Sequence, residues 1–344
     1  MKKCKLCITL KADKKGSHIV PHFLLKRIDN QEGMTGRDKE LGFVLSEFGA
    51  KSYFGRATSV AKIEEIFGEV TEEVIDKNKT LPLVEDYVFC SICEKKLAVI
   101  ESAYANTLQK FDSPEKNYNN GLESFLSFLF WISVMWRLSI ASRSGFRLKA
   151  GDQKRLRRIL CRYLDLDGAN IKTTNDNPDL KEIGYKVLRA PEYSVEHSTL
   201  LFCHPNYQKP YYLIIDEFVI ALYFSRSYVD LQHQPFLNIP DELSKIVLNT
   251  PFKGELIRSV SPKVIDDIKE YFYNELSKRY LLNFSRDLDS IHRKFGGRGQ
   301  LPQKVKEEIF RKMIHDEDVN FGNKYTIKHK AMVTYEVLSK YIKQ

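Results

Sequence analysis

Long hydrophobic runs are missing from this chain of 344 residues. The longest, FLSFLFWISVMW (125–136), contains two serines and ends against Arg137, too short to span a bilayer and better read as a buried helix. The N-terminus, MKKCKLC, is basic but lacks the apolar stretch of a secretory signal, so no membrane association is expected. These absences predict a cytoplasmic protein. Cysteines number only six, and in a reducing compartment paired cysteines more often hold metal than form disulfides. Internal repeats and low-complexity tracts are absent too.

Acidic residues are scarce in two windows. Residues 1–27 hold eight Lys/Arg against Asp13 alone, and residues 137–158 hold eight more against Asp152 alone. The formal net charge is +9. Clustered positive charge attracts polyanions through steering and counterion release. Arg137, Arg143, Arg155, Arg157 and Arg158 could therefore follow a phosphate backbone, which asks for charge without base readout. The simpler reading of Arg157 and Arg158 is ordinary helix-surface charge, and of Arg137 an ion pair at the end of a buried helix.

With 43% hydrophobic residues the chain can bury a sizeable core, and its length suggests two or three domains. Glycines at 33, 36, 42, 49, 55 and 68 punctuate an insertion over 28–85, whose most regular part, SVAKIEEIFGEV, suits a short helix. EDYVFC (85–90) reads as a strand. Leu97, Ile100, Tyr104 and Leu108 recur at helical spacing in CEKKLAVIESAYANTLQKF, so a helix starts beside Cys93. DSPEKNYNNG (112–121) marks a boundary. Helices are expected over 122–143 and 153–164, a small sheet within 170–230, and helices again beyond Pro240. PYYLIIDEFVIALYF reads as a buried strand pair with Asp216-Glu217 at a turn or strand edge, although a metal pair is conceivable. Trp131 and Trp136 belong to the core, and Cys161 and Cys203, in apolar surroundings, are expected to be buried. FGGRGQLP (295–302) lacks the strand-loop-helix context of a phosphate-binding loop and reads as a break between helices.

The paired cysteines carry the chemistry. Cys4-x2-Cys7 and Cys90-x2-Cys93 supply four thiolates, the complement of a closed tetrahedral zinc site. A redox Cys-x2-Cys pair or unrelated thiols are the alternatives. If zinc joins the pairs, His18 and Glu94 approach one another. A neutral imidazole can take a proton from water, and a carboxylate can hold a hard dication, the minimum for metal-assisted phosphodiester hydrolysis.

Cys4-x2-Cys7, Ser17-His18-Ile19-Val20-Pro21 and Cys90-x2-Cys93-Glu94 together resemble the zinc-bound variant of the HNH endonuclease family. The resemblance spans about the first 110 residues, with a vaguer match around WRLSIA (136–141) and the arginine-rich helix after it. It implies a zinc-stabilised ββα-metal (treble-clef-like) module at 1–111; with the patterns read further along, the expected fold is α+β, the module being followed by a helical and small-sheet domain at 112–235 and a helical region at 236–344. It further implies that His18 is the general base and that Glu94 stands where the usual final His ligates a catalytic Mg²⁺ or Mn²⁺. Ser17 occupies the position of the usual metal-binding Asp, and the usual Asn falls near Glu85 or Asp86, either of which could restore the lost charge. His22 and Glu101 are possible extra ligands. The implied activity is endonucleolytic hydrolysis of DNA, with a role in bacterial defence, and RNA stays open as substrate. The competing expectation is a non-catalytic zinc module that binds nucleic acid or protein. The C-terminal helices could hold a partner protein or a second copy of the chain.

Overall fold

The computed structural model describes residues 2–24, 42–46, 49–53, 64, 84–108, 116–141, 144, 146–174, 177–191, 193, 202–203, 210–225, 245–316, 319 and 324–342. Near the N-terminus, strand β1 (Ser17–His18) pairs antiparallel with β4 (Val84–Glu85), Ser17 opposite Glu85 and His18 opposite Val84. Between them in sequence, β2 (Gly42–Ser46) and β3 (Gly49–Tyr53) form a hairpin. Apart from the helical Glu64, the helix expected over 59–70 lies outside the described residues. The strand expected over 85–90 stops at Glu85, because Tyr87 adopts a left-handed φ of 58° that an extended run cannot contain. Helix α1 (Ser91–Ala105) follows, burying Cys93, Leu97, Ile100 and Tyr104 at the predicted spacing.

Strand β5 (Asn117–Asn119) lies inside the segment read as a boundary. Helix α2 (Ser124–Ile140) is buried on every side, from Phe125 to Ser139, as a helix apolar all round must be. Helix α3 (Ala150–Tyr163) is amphipathic, burying Leu156, Ile159, Leu160 and Tyr163. Cys161 is exposed, contrary to the expectation of a buried thiol. It sits one residue, about 100°, beyond Leu160 and so leaves the apolar stripe.

The short α4 (Pro178–Lys181), capped by the Asn177 side chain, leads into the sheet. Strands β6 (Gly184–Arg189), β7 (Phe202–Cys203), β8 (Tyr211–Ile215), β9 (Phe218–Tyr223) and β10 (Leu256–Ser259) join β5 in the order β5-β10-β6-β9-β8-β7. All pairings are antiparallel except β10 with β6. The sheet thus reaches beyond 170–230, recruiting two strands too short to announce themselves in sequence. Asp216 and Glu217 form the two-residue turn of the β8–β9 hairpin, with Asp216 at φ 51°.

Both faces of the sheet are covered, which explains why YYLII and FVIALY are apolar without alternation. One face presents Tyr185, Val187, Leu213, Phe218, Ile220 and Leu222 to a core continuous with α1, α2, α3 and the cysteine segments. The other presents Leu188, Tyr212, Ile214, Val219 and Ala221 to the start of α5 (Pro262–Lys294), through Ile265, Ile268 and Phe272. The end of α5 packs with α6 (Gln303–Ile314) and α7 (Ile327–Ile342) around a separate core that includes Phe284, Leu288, Ile309 and Val333. FGGRGQLP does separate two helices. A Cβ at Gly297 would stand 2.0 Å from the His292 ring, so a larger residue there would have to displace that side chain. The architecture is mixed α and β, and among the described residues no helix is long and apolar enough to cross a membrane.

Candidate metal centre and the adjoining histidine site

Two tight turns build the metal centre. In the first, Cys4 N–H donates to the Leu10 carbonyl and Ile8 N–H to that of Cys4, both at 2.9 Å, with Ile8 at φ 58° turning the chain back. In the second, Cys90 is the N-cap of α1 and Cys93 lies in its first turn. The turns are tied together: Lys5 N–H donates to the Val88 carbonyl at 3.0 Å, and Tyr87 N–H to that of Lys14 at 2.8 Å. Asp13 completes the join, accepting from Ser91 N–H at 2.8 Å and from Ser91 Oγ at 2.9 Å. It thereby satisfies an orphan donor of α1 from 78 residues away in sequence, and places a negative charge at the helix N-terminus.

The four sulfurs of Cys4, Cys7, Cys90 and Cys93 all lie within 4.8 Å of one another, and three of the four residues are buried. The hydrogen bond from Cys93 pulls the Cys4 thiol down to about 4, and the same contact pushes Cys93 far above the ordinary thiol range. Crowded thiols cannot all ionise unaided, whereas a dication at their centre stabilises four thiolates together. Donor type, number and mutual distance fit a structural zinc ion. Among the described residues this is the sole group of three or more His, Cys, Asp or Glu that could hold a metal.

Beside it stands the histidine site. Strand β1 holds Ser17, fully buried, and His18, half-buried. Helix α1 brings Glu94, directly after the last cysteine. Two buried oxygens here, Ser17 Oγ and Glu94 Oε2, make no hydrogen bond of good geometry among the described residues, although the Ser17 hydroxyl stands close enough to favour the Glu94 carboxylate. Burial raises the Glu94 carboxyl above its usual range. The Arg137 guanidinium and the nearby Ser17 hydroxyl oppose that rise, while Glu101 adds to it. His22 stands edge-on to His18, ring centroids 5.4 Å apart.

Arg137 is the residue whose role sequence reasoning left as an ion pair without a partner. It is 2% exposed on α2, and its Nη1 donates to Glu101 Oε1 at 2.5 Å and to the His18 carbonyl at 3.0 Å. Its Nε donates to the Ser133 carbonyl at 3.3 Å. One side chain therefore fixes β1 to α1 and supplies positive charge beside Glu94. Glu101 is committed to this ion pair. The signal was present in sequence, as an arginine closing an otherwise apolar helix.

Of the two acids proposed to replace the missing ligand, Glu85 lies on β4 opposite Ser17. Asp86 uses Oδ1 to accept from Gly16 N–H at 2.6 Å, fixing the approach to β1. Ser17 and Glu94 provide a hydroxyl and one carboxylate, with Glu85 across the ladder.

The arginines of α3 divide. Arg155 and Arg158 both pair with Asp179, at 3.2 and 2.8 Å, which docks α3 on α4. Arg157 points elsewhere, donating to the Leu6 carbonyl at 3.2 Å in the first cysteine turn. Arg143 lies outside the described residues.

A second buried polar cluster had no signal in sequence. Glu255, fully buried, accepts from Tyr185 Oη at 2.8 Å, Trp131 Nε1 at 3.0 Å, Tyr104 Oη at 3.2 Å and Asn120 Nδ2. It links α1, α2 and the sheet.

No protein-family model, curated protein or solved structure matches this chain.

Proposed function

We propose that residues 1–111 form an HNH-type, zinc-stabilised nuclease module that hydrolyses phosphodiester bonds in DNA. One juxtaposition supports the reading: a two-stranded ladder that carries His18 and, opposite Ser17, Glu85, followed by a helix whose first turn holds both Cys93 of the four-cysteine cluster and Glu94. The order β1, β4, α1 is that of a ββα unit, and the Ser17 hydroxyl is buried beside the Glu94 carboxyl within it.

In this mechanism the His18 imidazole takes the proton of the attacking water. Glu94, with the Ser17 hydroxyl beside it, would hold Mg²⁺ or Mn²⁺. When bound, that cation supplies Lewis-acid polarisation of the scissile phosphate. Arg137 keeps β1 in place through the His18 carbonyl. Zinc at the cysteines is structural.

A second reading, a non-catalytic binding module, rests on one observation. The guanidinium beside Glu94 and Glu101 leaves the three groups with a single net negative charge when both acids are ionised, and Ser17 adds none. Cleavage of plasmid, linear and single-stranded DNA, and of RNA, with added Mg²⁺ or Mn²⁺ decides between them. Wild type should cut only with the dication, and His18→Ala should lose roughly 100-fold or more, the usual worth of a general base. Ser17→Asp, which restores a carboxylate, should lower the dication concentration needed. Zinc-loaded protein that cuts in no form, Ser17→Asp included, refutes the nuclease. Undiminished cutting by His18→Ala refutes His18 as the base.

A further inference from the structure

We propose that the cleft between the first cysteine turn and α3 is the track along which a nucleic-acid phosphate backbone lies. This deepens the nuclease reading and rests on it for the substrate class. The cleft has a volume of about 680 Å³. Five cationic side chains line it: Lys3 and Lys5 from the cysteine turn, Arg147 from the approach to α3, and Lys154 and Arg157 from α3 itself. No carboxylate is among its lining residues.

Three features separate this cleft from a merely solvated basic surface. The cations converge on one concavity from segments more than 140 residues apart in sequence, so folding brings them together against their mutual repulsion. Three of them hydrogen-bond main-chain carbonyls: Lys5 Nζ donates to the Ile140 carbonyl at 2.8 Å, Arg147 Nη1 to that of Phe146 at 2.6 Å and Arg157 Nη1 to that of Leu6 at 3.2 Å. A carbonyl partner orients a cationic side chain without cancelling its charge. Thirdly, the cations of α3 divide: Arg155 and Arg158 share the single Asp179 carboxylate, whereas Lys154 and Arg157 line the cleft.

The location fits the chemistry. The floor includes Trp136, Ser139 and Ile140, from the last turns of α2, which also carry Arg137 to the His18 carbonyl. Cys4 forms part of the wall, so the cleft adjoins the metal centre directly. Ile8, 51% exposed, gives the lining an apolar surface for sugar or base. Several cations in a row suit a backbone that carries a charge every few ångströms and releases counterions as each phosphate is neutralised.

The test is binding of fluorescently labelled duplex DNA, single-stranded DNA and RNA to full-length zinc-loaded protein, without added dication, across a KCl series. Five phosphate contacts predict a slope of log K against log salt near −4.5 for duplex, at about 0.9 per contact. Lys3→Ala/Lys154→Ala removes two exposed cations and should flatten that slope by about two. Arg158→Ala, which lies outside the lining and pairs with Asp179, should leave it unchanged. Unaltered zinc content and melting temperature certify the fold of each variant. The ranking of the three probes identifies the polymer. The proposal is overturned if the double variant keeps the wild-type slope, if Arg158→Ala flattens it equally per charge, or if wild type binds none of the probes. Displacement of duplex by tripolyphosphate at constant ionic strength and micromolar concentration would also overturn it, assigning the cleft to small phosphate compounds. Because no hydrolysis is needed, binding without cleavage would sink the nuclease alone. Cleavage with an unaltered slope would sink the cleft alone.

Discussion

Glu255 offers a prediction whose size can be worked through. It is fully buried, and burial pushes its carboxyl from 4.5 up to about 7, against the pull of donors from Tyr185, Tyr104, Trp131 and Asn120. Below pH 4.5 the folded and unfolded chains both hold the proton. As the pH rises, the unfolded chain ionises while the folded one resists, so stability falls until the pH passes the folded value near 7. Linkage between these two values makes the loss from pH 5.5 to 7.5 about 2 kcal/mol. Glu255→Gln never ionises. Its amide can accept two of the four donors but turns its own NH₂ toward the others, a pH-independent cost of roughly 1–3 kcal/mol. The stability advantage of wild type over Glu255→Gln should therefore shrink by about 2 kcal/mol between pH 5.5 and 7.5. Urea titration followed by tryptophan fluorescence suits the question, since the chain's two tryptophans, Trp131 and Trp136, both sit in this core. Taking the difference between proteins cancels the pH dependence of every other group, the cysteines included. A difference that stays flat, or that grows with pH, would refute the reasoning.

Two further perturbations probe the N-terminal region. Arg137→Met leaves Glu101 without its partner and releases the His18 carbonyl; because Glu101 is 20% exposed, the loss belongs at the lower end of the buried-pair range, about 3 kcal/mol by chemical denaturation. Adding Glu101→Gln to Arg137→Met should recover part of it, and a double variant no better than the single one contradicts an ion-pair origin. Cys93→Ser removes one of four ligands, so zinc content by elemental analysis should fall from one per chain toward zero and the melting temperature should drop with it. Retention of a full zinc ion would mean that Cys93 is not a ligand.

Local order along the chain decided a good deal about this protein. The periodicity of Leu97, Ile100 and Tyr104 specified α1, the apolar run over 125–136 specified a central helix, and the run YYLII-DE-FVIALY specified a buried hairpin turning at Asp216 and Glu217. Two Cys-x2-Cys pairs announced one metal centre because a two-residue spacer is a local property. Cys161 was misjudged because composition hides which side of a helix a residue takes, and one step past Leu160 turns it outward. The strand over 85–90 failed because Tyr87 reverses its φ to meet Lys14, a partner 73 residues earlier.

What tertiary structure alone decided depends on distance in sequence. Only folding sets Arg137 between the His18 carbonyl and Glu101, brings Asp13 to the start of α1, and assembles four donors around Glu255. The same holds for the basic cleft, whose walls are segments that no spacing relates. A charge or hydrogen-bonding group carries no mark of its partner in sequence, because the pairing energy depends on geometry that the whole core must first create. Apolar periodicity is legible because burial needs only a face, whereas a polar group needs a particular neighbour.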